Sequence, residues 1–139
     1  MSTYLDPTND SVMSLFQRGI EGEVVMLNLI KLKEVADYSD FPEIAPERPI
    51  SGRAAYELYV QQTRPYLEES GGEVLYIGEG GNYLIGPESK GWDLAMLIRQ
   101  ASVGAFLAFA QNPAYMSVNG HRAAAVADSR ILPLATLSL

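Results

Sequence analysis

The order of apolar runs and turn signals along 139 residues predicts a single α+β domain with strands and helices in the order βαββαβ. Three observations carry this prediction. Val24, Val25, Met26, Leu27, Leu29 and Ile30 form a near-continuous apolar run, a helix-period stretch further on closes at Gly71-Gly72, and two strand-like stretches then precede a second helical region and a last strand. The size is that of one domain, and 47% apolar with 19% charged residues is ordinary for a chain that folds unaided.

Each element has its own signal. Asp10 and Ser11 precede Val12, Leu15 and Phe16 on one helical face, and Gly19 supplies a stop, so a short leading helix is expected. The apolar run within residues 23–33 reads as a central strand covered on both faces. Residues 34–49 carry Pro42, Pro46 and Pro49 among polar residues, which forbids a continuous helix or ladder and predicts a long loop.

Ser51 is the expected N-cap of a helix whose Tyr56, Tyr59, Val60, Thr63 and Leu67 recur at helical spacing, with Gly71 and Gly72 as its C-cap. Pro65 is expected to kink that helix or end it early. A strand over residues 73–79 then turns at Gly80, Gly81 and Asn82, and a third strand over 92–100 alternates Trp92, Leu94, Met96 and Ile98 against Asp93, Ala95, Leu97 and Arg99. The short link predicts an antiparallel pair.

Ser102 caps a helix carrying Val103, Phe106, Leu107 and Ala110 that stops at Asn112 and Pro113. A further helix is expected over 114–127, weakened at Gly120 by about 1 kcal/mol, with the last strand over 130–137. The whole is a ferredoxin-like, split βαβ arrangement: a four-stranded antiparallel sheet with helices on one face, residues 23–139, behind an N-terminal helical extension at 1–22. Strands apolar on both faces require the other sheet face to be covered, and a second copy of the chain is the expected cover, which makes the protein a homodimer.

The charge excludes several classes. A net charge of −7 with scattered Lys and Arg offers no basic stripe to nucleic acid or to an anionic membrane surface. With no cysteine, thiolate nucleophiles, disulfides and Cys-ligated metals are ruled out by inventory. No signal peptide is read in the first residues and no apolar stretch reaches bilayer-spanning length, so a cytoplasmic protein is expected.

Candidate chemistry is sparse. His121 is the only histidine, and beside Arg122 it reads either as a proton shuttle or as a helix-end or subunit contact. One histidine makes no metal triad, and no cofactor is expected. Asn28 interrupts the first strand and needs hydrogen bonds from backbone or from a polar ligand. Arg99 on a strand needs a partner, with Glu79 the expected one unless an anionic ligand serves.

Tyr56, Tyr59, Tyr115, Phe109 and Trp92 either floor an aromatic pocket or pack as core. Gly78, Gly80 and Gly81 lack the Lys-Ser or Lys-Thr of a phosphate loop and read as a bulge and turn. The acid pairs Glu68-Glu69 and Glu43, Glu47 read as solvated.

The series Tyr56, Tyr59, Pro65, Leu67, Gly71, Gly72, then Trp92-Asp93, Asn112-Pro113-Ala114-Tyr115 and His121-Arg122, resembles the domain of unknown function 1330 family over residues 24–134. That resemblance implies a dimeric α+β barrel, two ferredoxin-like subunits packed sheet to sheet, with a small-molecule pocket between each sheet and its helices. It implies no set reaction, since similar folds serve cofactor-free monooxygenases, haem-degrading enzymes, lactone isomerases and sensors.

Two functions therefore follow as expectations. One is a cofactor-independent enzyme, monooxygenase- or isomerase-like, acting on a small aromatic or enolisable molecule, with His121 and Arg122 catalytic and Asn28, Tyr59, Trp92, Arg99 and Tyr115 binding it. The other is a non-catalytic dimeric module for a small apolar ligand. A haem-handling protein would need His121 or a tyrosine as axial ligand. The chain departs from that family pattern in its leading helix and its loop at 34–49, which either covers a pocket or decorates it.

Overall fold

The computed structural model describes residues 2–89 and 91–138. Its elements are α1 (Asn9–Gln17), β1 (Val24–Leu32), a 3-10 turn (Pro42–Ile44), α2 (Gly52–Glu69), β2 (Glu73–Gly81), β3 (Trp92–Gln100), α3 (Val103–Ala110), α4 (Pro113–Val118), α5 (Gly120–Ala125) and β4 (Val126–Ala135). The four strands form one antiparallel sheet in the order β2-β3-β1-β4. This is the ferredoxin-like order, and α1 is the extra N-terminal helix. Among the described residues no helix is long and apolar enough to cross a membrane.

Caps decide where the helices begin. Ser51 and Ser102 accept hydrogen bonds from the N–H groups of Ala54 and Ala105, satisfying donors that the first turn leaves orphaned. In α1 the cap is Thr8, one residue before the helix. Ser11 stands three residues on, where its hydroxyl accepts from the Thr8 N–H while its own N–H donates to Thr8 Oγ1. Of the three apolar residues expected to share the buried face of α1, only Leu15 is buried, and Phe16 is 55% exposed.

α2 runs through Pro65 to Glu69, so the proline does not end the helix early. Its ring faces solvent, and the helix closes instead on the glycine pair. Gly71 takes the left-handed φ of +88°, and the N–H groups of Gly71 and Gly72 return to the carbonyls of Glu68 and Leu67.

The expected helix over 114–127 is two short helices that stop at Ala125, and β4 starts at Val126, four residues before the expected Arg130. Pairing with β1 overrides the helical propensity of the alanine-rich stretch, because Leu32 pairs with Val126 and the Lys33 N–H donates to the Ala125 carbonyl. Gly120 begins α5 directly beneath the loop. A Cβ there would meet Ile44 Cδ1 at 2.7 Å and the Phe41 ring at 2.9 Å, so the glycine permits a close approach.

The core lies on the helix side of the sheet in two clusters. Ile30, Tyr56, Leu94, Met96, Ala125 and Val126 form one beneath α2 and α5, and Leu15, Val24, Met26 and Val103 form the other beneath α1 and α3. Asn28 sits on β1 between them. Along β1 burial alternates residue by residue, so the single chain covers one face only and leaves the other bare. Across the other face the register aligns Tyr76, Leu97, Leu27 and Leu132 in one apolar row.

Candidate functional site

Two polar clusters lie on the helix side of the sheet, one at His121 of α5 and one between Tyr59 of α2 and Tyr115 of α4. The first is made by the loop. Tyr38 packs edge-on against His121, with its hydroxyl 2.7 Å from His121 Nδ1. The same loop closes down on Gly120, and His121 is left 5% exposed. Burial disfavours the charged imidazolium, so the His121 pKa falls below its ordinary value and the ring is neutral at pH 7.

Burial also raises the Tyr38 pKa, so the phenol keeps its proton. With Nδ1–H donating to the phenol oxygen, Nε2 presents a lone pair, and with the phenol donating to Nδ1, Nε2 carries a proton. Among the described residues none hydrogen-bonds Nε2. The loop at 34–49 thus covers the histidine.

The second cluster joins α2, α4 and the sheet. Tyr59 and Tyr115 hydroxyls lie 2.9 Å apart, and the Tyr115 hydroxyl donates to Asn119 Oδ1 at 3.0 Å. Tyr56 packs tilted against Tyr59, Phe109 tilted against Tyr115, and the Tyr56 hydroxyl points at Met96 Sδ. Burial is the largest cause that lifts the Tyr56 and Tyr59 pKa values far above the ordinary phenol range, while the positive charge of Arg122 pulls both back.

Arg122 leaves α5 in another direction from His121. Its guanidinium donates to the Leu5 carbonyl at 2.8 Å and to Ser129 Oγ at 3.2 Å. Asn28, 8% exposed, donates to the Met26 carbonyl. Asn28 pairs with Ile131 and Ile30 with Ser129, so Asn28 and Ser129 are diagonal neighbours on one face.

The structure therefore groups Asn28 with Arg122 through Ser129, and Tyr59 with Tyr115, while His121 stands with Tyr38. Trp92 and Arg99 lie elsewhere. The Trp92 ring lies 5.2 Å from the Lys31 ammonium and 5.2 Å from the Arg130 guanidinium, away from both clusters. Arg99 pairs with Glu73 at 2.9 Å and not with Glu79, which pairs with Arg53 at 3.4 Å. The register explains the change of partner, because Glu73 is directly opposite Arg99 across β2 and β3.

Tyr38, Asn119, Ser129 and the Leu5 carbonyl were not read as site groups. Nothing local in the sequence marks them: Tyr38 reaches a histidine 83 positions away. Two open depressions, of about 560 and 360 Å³, lie apart from both clusters, one beside Arg18, Ile20 and Thr136 and the other beside Lys33, Arg53 and Asp93. Among the described residues no three His, Asp or Glu side chains are grouped to hold a metal.

Comparison with known proteins places these features in context. The chain is 35% identical to the methylated RPA0582 protein over 99% of its own length and 98% of that chain, with a TM-score of 0.83. A second structure, RPA0582 from Rhodopseudomonas palustris, described as a protein of unknown function, is 34% identical over 99% of this chain and 100% of that one, again at 0.83. A dabb family protein with a ferredoxin-like fold from Mesorhizobium loti is 12% identical over 85% of this chain and 100% of its own, at 0.48. No family model matches the chain, and no curated protein matches it.

Proposed function

Because the chain belongs to the same family as the RPA0582 protein of Rhodopseudomonas palustris, whose function is unknown, we propose a function from the chain's own residues. It is a cytoplasmic homodimer of the domain of unknown function 1330 kind that moves a proton on a small aromatic or enolisable molecule without a cofactor. The observation that carries this reading is the 2.7 Å contact between the Tyr38 hydroxyl and Nδ1 of a buried, neutral His121.

The chemistry is a balanced proton transfer. His121 Nε2 takes a proton from a carbon next to a carbonyl, the enolate forms, and the imidazolium returns the proton at another carbon of the same molecule. Tyr38 fixes the ring and follows the tautomer. A histidine whose pKa lies below its ordinary value is neutral, and so competent as a base, at pH 7.

A second reading has its own observation. The Tyr59, Tyr115 and Asn119 groups satisfy one another, and Arg122 is occupied by Leu5 and Ser129, as in a module that binds a small molecule and does nothing to it. One experiment separates the two. Native mass spectrometry of the purified protein identifies the co-purified molecule, and deuterium exchange into that molecule is then followed by proton NMR. Exchange that His121→Gln lowers by at least about a hundredfold supports the enzyme, the usual size of a general acid–base contribution. Binding with no exchange in the wild type leaves the binding module.

A further inference from the structure

Arg122 is a half-buried guanidinium for which no described carboxylate serves as a counter-ion. That is unusual company for a charge at a sheet–helix seam, because desolvation without a paired anion is costly. The guanidinium is instead held by two neutral oxygens, one of them a main-chain carbonyl of the N-terminal segment. Its positive charge also lowers the pKa values of the buried Tyr56 and Tyr59 phenols, against the larger effect of burial.

Asn28 is the second, independent observation. It is 8% exposed, and its amide makes one contact with the described residues, Nδ2 to the Met26 carbonyl, while its carbonyl oxygen has no protein partner and keeps contact with solvent. Its neighbour Ile131 is on the helix-facing side yet 44% exposed, so the helices leave this stretch of β4 uncovered. A half-used amide, an uncompensated guanidinium and an uncovered strand thus occur within one cross-strand diagonal.

We infer that Arg122, Asn28 and Ser129 form a recognition site for the carboxylate of a small aromatic acid, and that the Leu5 carbonyl is the internal stand-in the ligand displaces. The guanidinium fork matches a carboxylate in two parallel hydrogen bonds, and the exposed side chain of Ile131, opposite Asn28, offers the aromatic body an apolar surface. The stand-in is tethered by few contacts. Tyr4 N–H donates to Asp128, the Tyr4 carbonyl accepts from the Ser129 N–H and hydroxyl, and the Tyr4 ring lies under Arg130. This deepens the proposed function and rests on its small-molecule reading.

The test titrates the full chain with benzoate and with benzamide, its uncharged counterpart, and follows amide shifts by NMR. Benzoate is expected to bind at least about tenfold more tightly than benzamide, the difference a charge-assisted hydrogen bond makes, and Arg122→Gln is expected to abolish that preference. Asn28→Asp places a carboxylate one cross-strand diagonal from Ser129, the residue that holds the guanidinium, and is expected to abolish benzoate binding with Arg122 intact, which keeps the inference testable if Arg122→Gln does not fold. Asp128→Ala removes the acceptor of the Tyr4 N–H, loosens the stand-in and is expected to tighten benzoate.

Equal binding of both probes overturns the carboxylate site but leaves an apolar one standing. No binding of either overturns the site together with the small-molecule reading. Benzoate binding that neither Arg122→Gln nor Asn28→Asp changes moves the site elsewhere, and Asp128→Ala without effect removes the stand-in.

Discussion

Burial of His121 beneath Tyr38 ties its protonation to folding. The imidazole has a lowered pKa in the fold and regains its ordinary value near 6.5 when the chain unfolds. Between those two values the unfolded chain binds more protons, so stability falls as pH drops below about 6.5 toward the folded pKa. We expect the urea midpoint to decline across that interval, and His121→Gln to flatten the decline. Asp128 titrates in a separate window: burial raises its pKa, but hydrogen bonds from Tyr4, Arg130 and Ser129 outweigh it and hold the carboxyl below 3.8. A His121→Gln profile as steep as the wild type's from pH 6.5 down would therefore assign that slope to other groups.

At the scale of elements, α5 is a helix whose sequence argues against it. Inside the single helix expected over 114–127 Gly120 would cost about 1 kcal/mol, and by that measure Gly120→Ala should stabilise, but it is the first residue of α5. Packing reverses the sign, because the added Cβ would overlap Ile44 and Phe41 and push the loop off α5, at a cost of about 1–3 kcal/mol. Thermal unfolding of Gly120→Ala should show a lower midpoint, and Tyr38 fluorescence or NMR shifts should move with it; a higher midpoint would show that the loop yields freely.

The same competition explains what was legible. β3 is found at Trp92–Gln100 from period-two alternation alone, and the Ser51 and Ser102 caps follow from hydroxyls placed before apolar helical faces. The start of β4 is hidden, since Ala123 to Val126 reads as helix until β1 supplies partners. Asn28, Tyr59, Tyr115, His121 and Arg122 stand out by residue type, but type does not tell which of them meet. Tyr38 gives no sign at all, because only the loop's closure onto Gly120 brings it to His121.

On the scale of the molecule, the sheet has a helix-covered face and a bare one, and the bare face is not built for water. Tyr76, Leu97, Leu27 and Leu132 cross all four strands in register, with Tyr76 61% and Leu132 54% exposed. A row of this kind on a lone subunit is a patch that burial against a second sheet would stabilise, at about 25 cal/mol per Å² of apolar surface removed from water. Leu27 occupies the middle of the row while pointing away from both helix-side clusters, so Leu27→Asp leaves the inner core untouched. In a symmetric sheet-to-sheet pair the two new carboxylates enter one apolar interface without a cation opposite, and the pair should fall apart.

Light scattering at micromolar concentration is expected to give a dimer for the wild type and a monomer with unchanged circular dichroism for Leu27→Asp. Phe16→Asp, on the exposed side of α1 and outside the row, should remain a dimer. A dimer that survives Leu27→Asp would mean that the subunits meet through another surface, and a monomeric wild type would mean that the row Tyr76, Leu97, Leu27, Leu132 is tolerated in water.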